Sequence, residues 1–155
     1  MDKVPIFWRY VLILMISMVP IIELRGAVPI GIAWGLDVLP TYLICVIGNI
    51  IPVPFILLFI RAILKFMHRV EKLAPIAEWI QKKADKHSGA ITKYATFGLY
   101  LFVAIPLPGT GAWTGALVAA LLNMKTKYAF LSIALGVLTA GIIMTLGSKL
   151  VAMLF

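Results

Sequence analysis

The chain has 155 residues, 63% of them hydrophobic and 13% charged, with a mean hydropathy of +1.06 and a net charge of +8. That balance excludes an ordinary soluble domain, and the length leaves room for one compact membrane domain without a soluble catalytic one. The single cysteine, Cys45, excludes an internal disulfide, and the absence of a Gly-rich nucleotide loop excludes an ATP-driven pump within this sequence.

Residues 10–22 form the first apolar run. It lacks a small-residue cleavage site before the polar break, so it reads as a retained segment and not as a signal peptide. As helix, thirteen residues reach only about 20 Å, short of the hydrocarbon thickness. The motif Glu23-Leu-Arg-Gly-Ala-Val-Pro-Ile-Gly31 interrupts this run. A second short apolar piece covers 30–39, ending at Asp37 and Pro40. Residues 41–66 are then long enough to span, with Pro52 and Pro54 placed to kink the helix.

The polar segment 67–92 follows. Val70, Leu73, Ala77, Ile80 and Ala84 recur at steps of three and four, opposite Lys72, Glu78, Lys82, Lys83 and Lys86. This predicts a basic amphipathic helix lying at the membrane interface, opened by Pro75, with Trp79 at head-group level. His68 and His87 lie in the same segment without cysteine companions and make no metal site. The second part, 93–155, repeats the plan. A short apolar run at 94–105 is broken by Pro106-Leu-Pro-Gly-Thr-Gly-Ala-Trp-Thr-Gly115, returns over 112–122, and leads to a full span at 128–155.

Each short pair reads either as a re-entrant hairpin or as a bent but complete crossing. Charge favours hairpins. Ten Lys/Arg (61, 65, 69, 72, 82, 83, 86, 93, 125 and 127) then share one side, three (3, 9 and 149) lie on the other, and Arg25 is within the membrane. The positive-inside rule makes the first side cytoplasmic and puts both termini outside. The predicted fold is therefore an all-α polytopic membrane protein with two inverted repeats, 1–66 and 93–155. Each is a re-entrant hairpin (tips 23–31 and 106–115) plus a spanning helix, and the interfacial helix joins them. In such a layout the two tips approach each other near the midplane, where transporter sites lie. The basic balance points to anionic lipid head groups and not to nucleic acid.

Glu23 and Arg25 stand at the first break, where an ionisable pair is costly unless it is paired or used. Arg25 suits an anionic head group through its planar fork, and Glu23 suits proton exchange. The other reading is a pair that neutralises itself and pins the tip. Asp37 reads as a cap or as a second protonation site at the mouth. Gly26, Pro106, Pro108, Gly109 and Gly111 free backbone at the breaks, while Thr110, Thr114 and Trp113 offer hydroxyls and a ring. Asn49 is an amide within a span and a candidate for the path lining. Asn123 reads as a cap. No cofactor, metal or catalytic residue is indicated, and an enzyme is not expected.

The two motifs together resemble those of the bacterial and archaeal small multidrug export protein family, over essentially the whole chain. The layout is also similar to the DedA (SNARE-associated, VTT) superfamily, which implies facing re-entrant hairpins, membrane acids and translocation of polyprenyl phosphates or phospholipids. By position, Glu23 and Asp37 are similar to that superfamily's acidic pair. Its second-hairpin arginines have no counterpart, since Pro108 and Gly109 occupy that tip. The expected protein is a homodimer in the prokaryotic inner membrane that transports or flips an amphipathic substrate such as an anionic lipid phosphate. Proton-coupled export of hydrophobic cations, or a structural role without transport, are the other expectations.

Overall fold

A computed structural model of the chain describes residues 4–69, 75–76, 78–79, 82 and 88–154. Among these residues the protein is all-helical, with seven bounded helices and no strand. They are α1 (Ile6–Met18), α2 (Glu23–Ala33), α3 (Val38–Ile50), α4 (Pro52–Arg69), α5 (Ser88–Ala104), α6 (Ala112–Leu121) and α7 (Thr126–Leu154). Two stretches are long and apolar enough to cross a bilayer. Val38–Met67 runs through α3 and α4 for 30 residues, and α7 runs for 29. Pro52 has no N–H for the carbonyl one turn back, so the first stretch turns at Ile51, whose own N–H still reaches the Ile47 carbonyl at 3.0 Å. By contrast, α1, α2 and α6 have 13, 11 and 10 residues.

The first interruption is earlier and tighter than the sequence motif suggests. Residues 23–31 are not a break: they form most of α2, with Pro29 inside the helix. The chain turns at 19–22 instead, using positive φ at Ile21 (80°) and Glu23 (50°), and the Glu23 N–H closes the turn on the Val19 carbonyl. The glycines that suggested a loop serve packing. A Cβ on Gly31 would lie 2.5 Å from the Thr41 methyl, and one on Gly26 would lie 2.5 Å from the Ile22 side chain. The second interruption, at 105–111, falls where the sequence places it. In the linker the stripe Val70, Leu73, Ala77, Ile80 and Ala84 lies outside the described residues, while Ile76 and Trp79 are helical and exposed.

The same backbone features recur 88 residues apart. Positive φ at Ile21 and Gly109 marks the two breaks, and positive φ at Gly35 and Asn123 ends the two return helices. Trp34 and Leu122 cap those helices with φ of −80° and −77° and an identical ψ of 5°. The N–H of Leu36 reaches the Gly31 carbonyl as that of Met124 reaches Ala119. The long helices begin at Val38 and Thr126. Each half is thus two helices joined at a break and one long helical stretch, in the same order.

Packing crosses between the halves. α2 lies against α7 of the second half and α6 lies against α4 of the first, while α1 and α5 pack on the long helices of their own halves. The core, with Ile13, Leu24, Val28, Leu57, Val103, Ile133 and Val137 fully buried, fills the space between them. Outward-facing residues such as Phe55, Phe59, Leu146 and Leu150 are exposed, as suits a lipid-facing surface.

Gly48 and Gly136, again 88 apart, are points of close approach between each long helix and its neighbour. A Cβ on Gly136 would lie 2.7 Å from the Val103 Cβ and 3.0 Å from the Tyr100 carbonyl oxygen; one on Gly48 would lie 2.8 Å from the Leu14 carbonyl oxygen. Gly136→Ala is therefore expected to cost about 1–3 kcal/mol by forcing the helices apart. Gly147 lies on the same helix with nothing within 4 Å, so Gly147→Ala should leave stability unchanged or raised. Reversible unfolding in detergent measures both.

Candidate functional site

Residues 103–113 are the point where the two halves interlock. An interrupted helix leaves carbonyls without partners at the incoming end and N–H groups without partners at the outgoing end. At this break those groups are the carbonyls closing α5 and the amides opening α6. Gly111, the residue before α6, has no side chain with which to cap it.

Glu23 performs that capping from the other half. Its carboxylate accepts the N–H of Trp113 at 3.0 Å and that of Ala112 at 3.3 Å, and the residue is 4% exposed. A carboxylate at a helix N-terminus is stabilised by both the free amides and the helix dipole. Contact is close enough to demand glycine opposite: a Cβ on Gly111 would lie 2.1 Å from Glu23 Oε2, and its φ of 145° belongs to the glycine-favoured region.

Arg25 takes the opposite end of the same break. Its guanidinium donates to the carbonyls of Val103 at 3.1 Å and of Ile105 and Leu107 at 3.2 Å. Thr110 Oγ1 donates to the Ile105 and Leu107 carbonyls too, at 2.9 Å each. Prolines at 106 and 108 remove two of the N–H groups that a continuing helix would have supplied here. Residues two apart on a helix do not face one another, so Glu23 and Arg25 diverge to the two ends of the gap. In this arrangement each member of the pair neutralises main-chain partial charge in the other half.

The interlock is reciprocal. Trp113, 88 residues after Arg25, donates its indole Nε1–H to the Met18 carbonyl at 3.1 Å and so closes the end of α1. The ring expected as a stacking surface thus also has a capping role. Thr114 reaches the Gly111 carbonyl at 3.5 Å, while Pro108 and Gly109 point outward at the tip.

Two groups at this level lack partners. Arg25 Nε is buried without an acceptor among the described residues. Asn49 is 0% exposed, and neither its Oδ1 nor its Nδ2 has a partner. α2 and α3 are joined by the short turn at 34–37 and pack together. The register that sets Gly31 on Thr41 therefore carries Asn49, two turns further along, to the level of Glu23. Asp37 stands apart: it precedes α3 at the far end of α2, is exposed, and makes no capping bond. Asn123 adopts φ of 51° after α6, as a cap should.

Sequence reasoning missed the partners of Glu23 and Arg25, because a main-chain carbonyl or amide carries no residue-type signal. It also missed Arg61, read only as part of the charge bias. Arg61 donates to the Met124 carbonyl and Thr126 Oγ1, tying α4 to the turn before α7.

No curated protein matches the chain, and no solved structure does. Residues 23–143, which run from Glu23 at the start of α2 through the second interruption and into α7, match the family described as "Putative small multi-drug export protein". With most of its length matched, and Glu23, Arg25 and the second break inside the match, the chain belongs to that family.

Proposed function

We propose that the protein is a transporter of an amphipathic, anionic substrate such as a lipid phosphate, and that the interlocked breaks form its mid-membrane site. The observation that carries this reading is the set of unpartnered polar groups at the junction: Arg25 Nε and both atoms of the Asn49 amide. Buried polar groups in a bilayer protein are ordinarily bonded, so a guanidinium N–H left over at the break and an unpartnered amide at the same level suit a polar ligand. Arg25 can exchange some of its carbonyl partners for phosphate oxygens, for which its fork is the better match.

In this reading the two halves are inverted repeats. Each pair α1–α2 and α5–α6 is a re-entrant hairpin, since 13, 11 and 10 residues of helix in α1, α2 and α6, and the apolar part of α5 at Tyr94–Ala104, fall short of about 30 Å of hydrocarbon. The basic linker faces the cytoplasm, and both termini lie outside the inner membrane. Glu23 is the coupling group: a proton there replaces an acceptor by a donor and removes the charge that holds the α6 N-terminus, which frees the interlock to open. Asp37 serves as a proton relay at the mouth, and a homodimer covers part of the apolar surface.

Native mass spectrometry of gently purified protein tests the substrate class. Wild type is expected to retain an anionic lipid that Arg25→Ala loses and Arg25→Lys partly retains. In proteoliposomes, wild type should also translocate a fluorescent lipid phosphate. Family membership favours a second reading, proton-coupled export of hydrophobic cations. Proton-driven efflux of ethidium that survives Arg25→Lys, with no Arg25-dependent lipid, would establish that reading instead. If Glu23→Gln combined with Arg25→Gln leaves function intact, the pair is only a structural clasp.

A further inference from the structure

A second polar feature lies away from the junction, in a laterally open groove between α5 and α7. Its volume is about 670 Å³, and its walls include Phe97, Tyr100, Leu131 and Leu135. Polar groups gather toward one end. Lys125 and Tyr128 line it where α7 begins, and Ser132 follows one turn deeper. Ser132 is 3% exposed. Lys125 is exposed and forms no ion pair among the described residues. Its backbone is nonetheless held in place, because Arg61 grips the residues on either side of it, Met124 and Thr126.

This is an amphipathic slot with a cation and the Tyr128 hydroxyl at the rim and an apolar interior. A head group with one negative charge meets Lys125 and the Tyr128 hydroxyl, while its acyl chain lies along Leu131 and Leu135. The volume falls within the range of roughly 300–1,000 Å³ typical of ligand sites. The other half carries Asp37 at the position 88 residues before Lys125, so its equivalent face is unsuited to an anion.

We infer that the α5–α7 groove is a binding site for an anionic phospholipid of the leaflet that faces the basic linker, with Lys125 as its head-group ligand. As the loading site for the substrate of the junction, it rests on the proposed function; as a lipid site, it stands alone.

The test is native mass spectrometry of the full chain, released from nanodiscs of phosphatidylcholine containing phosphatidylglycerol. Wild type is expected to retain phosphatidylglycerol selectively. Lys125→Gln should reduce that preference about fivefold, the weight of one near-surface lysine. Leu135→Trp, at a position 47% exposed and therefore tolerant of bulk, should displace the lipid by filling the groove. Lys127→Gln, the neighbouring lysine, should leave retention unchanged. Unaltered retention in both groove variants overturns the site, and so does an equal loss in Lys127→Gln, which would mark general surface attraction. Arg25→Lys separates the two ideas: if it halts translocation while the groove lipid stays, both stand. If no lipid phosphate is moved by any variant but the Lys125 dependence persists, the transport reading alone fails.

Discussion

Gly111→Ala is expected to expel Glu23 from its place at the start of α6 and to abolish the proposed transport, although it adds one methyl group. The new Cβ would lie 2.1 Å from Oε2 and 2.7 Å from Cδ of Glu23, and the φ of 145° is itself unfavourable for alanine. Glu23 has little freedom to retreat, being buried and held at a φ of 50° that its own turn imposes. Displacing it leaves two amides without an acceptor in an apolar setting and strands a carboxylate. We expect a loss of about 3–5 kcal/mol, from unsatisfied groups plus strain. Glu23→Ala should cost about 2–4 kcal/mol by itself. The double variant should cost less than the sum, because without the carboxylate the alanine methyl no longer collides with it. Additive losses in a detergent unfolding cycle would show that the collision is not the cause.

Arg25→Leu should be the second most damaging change. Leucine fills similar space but leaves the Val103, Ile105 and Leu107 carbonyls with fewer donors, Thr110 being able to serve only the last two. A cost of about 2–4 kcal/mol is expected. Arg25→Lys should recover part of it, since a point charge cannot span three acceptors. Trp113 reports directly on the junction. With Trp8, Trp34 and Trp79 replaced by phenylalanine, its emission should shift to the red in Arg25→Leu as the interlock loosens, and remain near the wild-type value in Arg25→Lys. An unshifted spectrum in the leucine variant would show that the three carbonyls do not depend on Arg25.

Much of this architecture is legible in the residue order. Two long apolar stretches and two shorter broken ones follow from run lengths alone, and Pro106, Pro108, Gly109 and Gly111 fall where the second break occurs. The first break misleads, because its turn is made by Ile21 and Glu23 at positive φ, a conformation that neither residue type advertises. Gly26, Pro29 and Gly31, which do advertise a break, sit inside a helix and permit close packing. The importance of Glu23 and Arg25 follows from the cost of charge in hydrocarbon, whereas their partners do not, since those partners are peptide groups 78 to 90 positions away.

Recognition of peptide groups and not of side chains has an evolutionary consequence. Glu23 and Arg25 grasp amides and carbonyls, so at the tip positions 107–109, whose side chains take no part in the clasp, side-chain identity is largely uncoupled from its stability. Leu107 and Pro108 are exposed at the tip. Their side chains are free to drift while the main chain beside them keeps the two halves joined. A scaffold built this way can diversify at its tip without first relearning how to fold.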